Sequence, residues 1–122
     1  MSRIAAGTIV LVDWRSGAVP REPTKVRPAI VVEDHELFPE DYPNTLVVPL
    51  TCDEGLAYAA FAQRIDPAPE NGADETSWAL AHHVTSVSLQ RVQPTPSRIT
   101  SKQLAGIRAH AALALGVGVT LR

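Results

Sequence analysis

Three runs rich in β-branched residues, each bounded by a breaker, set the strongest limit on what this chain can fold into. Thr8-Ile9-Val10-Leu11-Val12 follows Gly7, Ala29-Ile30-Val31-Val32 follows Pro28, and Thr45-Leu46-Val47-Val48-Pro49-Leu50-Thr51 follows Pro43-Asn44. Side chains branched at Cβ lose rotamer freedom in a helix and fit a pleated sheet, so these runs read as strands. Pro49 cannot donate to a ladder and marks an edge or a bend. Weaker strand readings cover Tyr58 to Ile65, Trp78 to Val84 and Ser86 to Val92, with Val87, Leu89 and Arg91 on one face of the last. Short strands joined by turns, with no helix between them, point to a mainly β (α+β) chain built as a small antiparallel sandwich or partly closed barrel.

The end of the chain changes period. Thr100-Ser101-Lys102-Gln103 has the spacing of a capping box, and Leu104, Ile107, Ala111 and Leu115 then recur at helical spacing up to Gly116. One C-terminal helix is expected there. Arg15 to Val26, with Gly17, Pro20 and Pro23, and Asp66 to Ser77, with Pro67, Pro69 and Gly72, read as loops. The first is longer than a tight hairpin needs and carries several basic residues, which makes it a candidate binding loop.

With 122 residues, the chain is expected to form a single domain over 1–122. Its 45% hydrophobic content excludes an intrinsically disordered chain, because such chains lack the apolar surface that offsets ordering entropy. No apolar run approaches a membrane span and no secretory leader is legible, so a cytoplasmic protein without membrane attachment is expected. A single cysteine, Cys52, supplies neither an internal disulfide nor a multi-cysteine zinc site.

The net charge of −2 does not advertise a nucleic-acid binder, but its distribution is uneven. Residues 1–32 and 76–122 are basic on balance, and the second of these segments has no acid at all. Residues 33–75 hold eleven acids against Arg64. Such asymmetry can build a polarised surface with a basic groove.

Chemistry-bearing residues fall at strand mouths. Arg27 precedes Pro28, which biases its backbone to an extended form where a guanidinium can project toward a phosphate. Thr51, at the end of the third run, offers a hydroxyl to a phosphate oxygen. His82 and His83 are adjacent in a predicted strand and so face opposite ways, which leaves one imidazole for a site and no two-histidine metal pair. No metal site, Gly-rich phosphate loop, paired-carboxylate motif or nucleophile elbow is present in the sequence.

Taken together, these blocks resemble the MazF/PemK/Kid family of type II toxin–antitoxin endoribonucleases over about residues 7–116. Gly7 to Trp14 is similar to the family's opening strand, Glu22 to Ala29 to its Glu-x-x-Lys-x-Arg-Pro-Ala motif, and Val47 to Thr51 to its Pro-x-Thr strand. Trp78 to Val84 occupies the place of a family Ala-Asp-Gln segment, followed by Arg91-Val92 and the helix. The resemblance implies a small SH3-like or CcdB-like antiparallel β-barrel with a C-terminal helix, assembled as a homodimer. It also implies metal-independent cleavage of single-stranded RNA, with messenger RNA the expected substrate. The 2′-hydroxyl attacks, 2′,3′-cyclic phosphate and 5′-hydroxyl ends form, and no cofactor is needed. An antitoxin protein would inhibit it.

Carried over residue by residue, the resemblance makes Arg27 and Thr51 catalytic, Arg27 stabilising the phosphate and Thr51 orienting it. Glu22 matches the loop acid, Lys25, Arg21 and Arg15 would line the RNA path, and Trp14, Phe38 or Tyr42 would stack unpaired bases. His82-His83 stands where members often carry Asp-Gln, Leu80 where some carry arginine, and Cys52 where serine is frequent. His82 is the expected proton-transfer group, since imidazole titrates near neutral pH, with His83 and Cys52 beside the RNA. A non-enzymatic alternative on the same fold is a CcdB-type gyrase poison or a catalytically lapsed homologue. The ending Gly118 to Arg122, without the tryptophan of a gyrase poison, counts against the first.

Overall fold

A computed structural model describes residues 3–14 and 26–118. Among these, the β-branched runs form β1 (Thr8–Asp13), β2 (Val26–Val31) and β3 (Asn44–Thr51). Four more strands follow: β4 (Ala62–Ile65), β5 (Ser77–Leu80), β6 (Thr85–Ser88) and β7 (Val92–Arg98). Helix α1 (Ser101–Ala114) closes the described chain. All pairings are antiparallel and the sheet runs β4-β5-β3-β2-β1-β7, with β6 also on β3, so the path stays open between β4 and β7.

Both faces of the central strands are buried, which is why the runs are continuously apolar instead of alternating. Ile9, Ile30 and Val48 lie side by side across β1, β2 and β3 and join one core with Ile65, Ile99 and Ile107. Their neighbours Val10, Ala29, Val31 and Val47 turn the other way and join Val12 and Val87 in a second core. The sheet therefore curls over one cluster and carries α1 on the other.

Helix α1 starts on the expected capping box. The Gln103 N–H donates to Thr100 Oγ1 at 3.1 Å and the Thr100 N–H to Gln103 Oε1 at 2.9 Å. It stops in a left-handed turn at Gly116 (φ +81°), with the Val117 N–H donating to the Ala112 carbonyl and the Gly116 N–H to that of Leu113. Ile107 is fully buried, with Leu104 and Ala111 packed alongside, but Leu115 is 73% exposed and not part of the core. Arg108 reaches off the helix to the carbonyls of Val32 and Glu33 at 3.0 and 3.1 Å, fixing α1 to the end of β2.

Several boundaries differ from the sequence reading. Tyr58 to Phe61 is a turn, so only Ala62–Ile65 of the fourth run is strand. Trp78 to Val84 is not one strand either: β5 ends at Leu80, and Ala81–His83 form a 3₁₀ turn. Leu89–Arg91 is another such turn, which takes Leu89 and Arg91 off the face proposed for them with Val87. Beyond it β7, with Pro94 and Pro96, lies at the sheet margin, where missing N–H donors are tolerated. Pro49 marks no edge, since β3 is central. It marks the point where β3 exchanges β6, paired through Val47, for β5, paired from Leu50.

Candidate nucleic-acid groove

The exchange of partners along β3 builds the site. Proline has no N–H to give a neighbouring strand, and opposite Val48-Pro49 the chain between β5 and β6 leaves the ladder. It rises as the turn Ala81–His83, held by the Ala81 N–H on the Phe61 carbonyl (3.1 Å) and the Val84 N–H on the Ala81 carbonyl (3.2 Å). The two imidazoles are thereby lifted beside the end of β3.

Ala29 pairs with Pro49, and Arg27 and Thr51 each lie two residues beyond that pair at the same end of the β2–β3 ladder. Trp14 follows the end of β1, whose Val12 pairs with Arg27. These residues and the turn enclose a groove of about 600 Å³ lined by Trp14, Arg27, Thr51, Cys52 and His83, with Asp53, Leu56, Ser77 and Leu80 completing its walls. Arg27 is exposed, and its side chain makes no hydrogen bond or ion pair with the other described residues. Thr51 Oγ1 accepts the Asp53 N–H at 3.0 Å, which fixes the side chain and leaves its O–H to donate. Asp53 in turn caps the next turn through the Gly55 N–H at 2.9 Å. Cys52 is exposed, its Sγ 3.6 Å from Ser77 Oγ.

The histidines divide differently from the sequence expectation. His83 is exposed and lines the groove, whereas His82 is not among the groove's lining residues. The His82 ring lies 5.3 Å from that of Phe61, 6.4 Å from Tyr58 and 4.3 Å from His83, edge to face with the last. Its Nδ1 is buried with no hydrogen-bond partner among the described residues. Burial, with a smaller push from the charge of His83, lowers its pKa below the ordinary 6.5 and favours the neutral ring.

Phe38 and Tyr42, expected as base-stacking residues, instead flank Arg3, whose guanidinium carbon lies 5.4 and 5.9 Å from their ring centres. Arg15, Arg21, Glu22 and Lys25 lie outside the described residues. The sequence reading missed Asp53, Leu56 and Ser77 as wall residues: the turn at Glu54–Leu56, capped by Asp53, brings in the first two, and the β3–β5 pairing brings in Ser77.

A family model described as PemK-like, MazF-like toxin of type II toxin–antitoxin systems matches residues 5–115. No curated protein matches the sequence. Among solved structures, MazF from Deinococcus radiodurans is 22% identical, with a TM-score of 0.70 over 93% of this chain and 97% of that one. The Mycobacterium tuberculosis toxin MazF-mt6 is 14% identical, with a TM-score of 0.69 over 92% and 99%. A mycobacterial endoribonuclease solved with its cognate antitoxin is 15% identical, with a TM-score of 0.66 over 98% and 100%. The fold is shared throughout. No helix among the described residues is long and apolar enough to cross a membrane.

Proposed function

The chain belongs to the PemK-like, MazF-like toxins of type II toxin–antitoxin systems, and from that membership we propose that it is a metal-independent endoribonuclease cutting single-stranded RNA, messenger RNA foremost. One observation carries the reading: Arg27, Thr51 and a single imidazole, His83, line one groove. The reaction needs a base for the 2′-hydroxyl, positive charge for the phosphorane and a proton for the departing 5′-oxygen.

His83 takes the 2′-hydroxyl proton as that oxygen attacks phosphorus. Arg27 and the Thr51 hydroxyl hold the non-bridging oxygens as charge builds on them. The P–O5′ bond breaks, the 5′-oxygen takes a proton from water, the imidazolium of His83 returns its proton to the hydroxide so formed, and a 2′,3′-cyclic phosphate and a 5′-hydroxyl remain. Trp14 offers a face to an unpaired base, and Cys52 borders the path. His82, expected from sequence to do the proton transfer, is replaced in this role by its neighbour. Glu22, Lys25, Arg21 and Arg15 are proposed to extend the RNA path from the loop.

The protein works as one toxin domain in the cytoplasm, as a homodimer without a cofactor. A cognate antitoxin inhibits it by laying an acidic, disordered tail along the groove around Arg27. The mycobacterial neighbour solved with its antitoxin supports a partner of this kind.

The test is incubation of purified protein with a long unstructured RNA in excess EDTA. Discrete cuts ending in cyclic phosphate are expected, and Arg27→Ala should slow them by about a hundred- to a thousandfold without unfolding the protein. A folded wild type that cuts nothing in a varied RNA pool overturns the enzyme reading in favour of a non-enzymatic binder on this fold, and gyrase inhibition becomes the next assay.

A further inference from the structure

Trp14 lines both the groove of Arg27 and Thr51 and a second cavity of about 400 Å³ between the end of β1 and strand β6. Besides Trp14, its walls carry Asp13, Asn44, Thr85, Ser86, Val87, Ser88 and Arg91, so one carboxylate shares the cavity with the guanidinium. Arg91, the last residue of the turn after β6, is exposed and has no hydrogen bond or ion pair among the described residues.

The polar groups here repeat the chemistry of the first groove. Ser88 Oγ accepts the Gln90 N–H at 3.2 Å, as Thr51 Oγ1 accepts the Asp53 N–H, so each hydroxyl is anchored by a backbone donor and keeps its own O–H to give. Each anchored hydroxyl shares a cavity with an exposed arginine: Thr51 with Arg27, Ser88 with Arg91. Ser86 Oγ accepts from Asn44 Nδ2 at 3.2 Å and also retains its O–H. Two hydroxyl–guanidinium pairs in cavities that share one indole are the groups that two phosphates of a single strand with a stacked base would use.

We infer that the cavity beyond Trp14 is a second nucleotide subsite, in which Arg91 and Ser88 hold the phosphate next to the scissile one while the intervening base lies on Trp14. This rests on the ribonuclease reading. It adds a binding role and no chemical step: Arg91 acts on how long the RNA stays, and Arg27 on how fast it is cut. An acidic peptide would also meet Arg91, but the aromatic wall and the hydroxyls suit a base and a sugar–phosphate chain better than a run of carboxylates.

The probe is a random-sequence oligonucleotide of about ten nucleotides, 2′-O-methylated throughout so that no attacking hydroxyl is present. Binding is followed by Trp14 fluorescence in a Trp78→Phe background across a salt series. Arg91→Gln should weaken binding about tenfold and flatten the plot of log K against log salt by about 0.7, the loss of one phosphate contact on a single strand. Arg91→Lys should restore the slope. Thr85→Lys, which adds charge to the exposed rim, should steepen it by a similar amount, and this variant keeps the test open should Arg91→Gln not fold. On cleavable RNA, Arg91→Gln should raise KM and leave kcat nearly unchanged. Unaltered slopes in Arg91→Gln and Thr85→Lys, with a wild type that binds and cuts RNA, overturn the subsite alone. So does an Arg91→Gln variant weakened toward poly-glutamate but not toward RNA. A wild type that neither binds nor cuts RNA overturns the ribonuclease reading beneath it.

Discussion

Adjacent histidines with different surroundings have separable roles: His83 lines the groove and His82 packs its ring against Phe61. In the proposed mechanism His83→Ala removes the pH dependence that proton transfer by this imidazole gives kcat/KM, while His82→Phe preserves it. The reverse result would return the proton transfer to His82. His82 should show itself in stability instead. Its folded pKa lies below the unfolded value of about 6.5, so above that pH both states carry a neutral ring and the shift contributes nothing. As pH falls through the window between the two values, the unfolded chain takes up the proton first, and the fold loses stability until both states are charged. Melting between about pH 8 and pH 5 should therefore steepen downward in wild type and flatten in His82→Phe; identical curves would mean that burial of His82 does not oppose its charging. That Arg27 and Thr51 share a groove was legible from sequence, since a strand mouth before proline and a strand end are local features, and the resemblance tied them together. That His83 lines it and His82 does not was not legible, because the sequence reading kept Trp78 to Val84 in strand geometry, whereas both histidines stand on a turn.

That turn belongs to the scale of elements, where short-range signals read well and tertiary ones do not. The capping box of α1 involves side chains three residues apart, so Thr100 and Gln103 announce it in the sequence, and Gly116 announces its end. The break between β5 and β6 depends on Pro49 across the sheet and on the Phe61 carbonyl, and no window of local sequence contains both. β7 was hidden because Pro94 and Pro96 look like loop residues until the strand is seen at the margin of the sheet. Helix α1 packs on β4 and on the turn that carries the histidines, so its stability supports the groove from behind. Thr100→Ala removes one partner of the reciprocal cap and should cost about 1 kcal/mol in urea unfolding. It leaves the groove residues untouched, so kcat should hold while the protein is folded. A drop in kcat without a loss of stability would show that the helix start sets the position of His83 directly.

Across the whole molecule, the uneven charge seen in the sequence divides into two uses that the sequence could not separate. Arg27 and Arg91 stand exposed on the cavities flanking Trp14, whereas Arg3 has a side chain only 3% exposed and is bound to a Glu33 carboxylate that is 1% exposed. The Arg3 Nε donates to Glu33 Oε2 at 2.8 Å, and its other nitrogens reach the carbonyls of Pro39, Tyr42 and Asn44. Glu33 Oε1 accepts the Leu46 N–H at 3.3 Å. One ion pair thus ties the first described residues to the end of β2, the segment before β3 and β3 itself. Removing a single partner strands a buried charge, so Arg3→Met should cost about 3–5 kcal/mol, a large part of the roughly 5–15 kcal/mol that stabilises a domain. Adding Glu33→Leu removes the stranded carboxylate. It does not restore wild-type stability, because the Leu46 N–H and three carbonyls still lack their partners, each missing bond costing about 1–3 kcal/mol where water cannot reach. The double variant should nevertheless lose clearly less than the sum of the two single losses, by more than about 1 kcal/mol. Urea unfolding of the four proteins measures this coupling. Strict additivity would mean that Arg3 and Glu33 act through their separate backbone contacts and that the charge pair itself contributes nothing to holding the fold together.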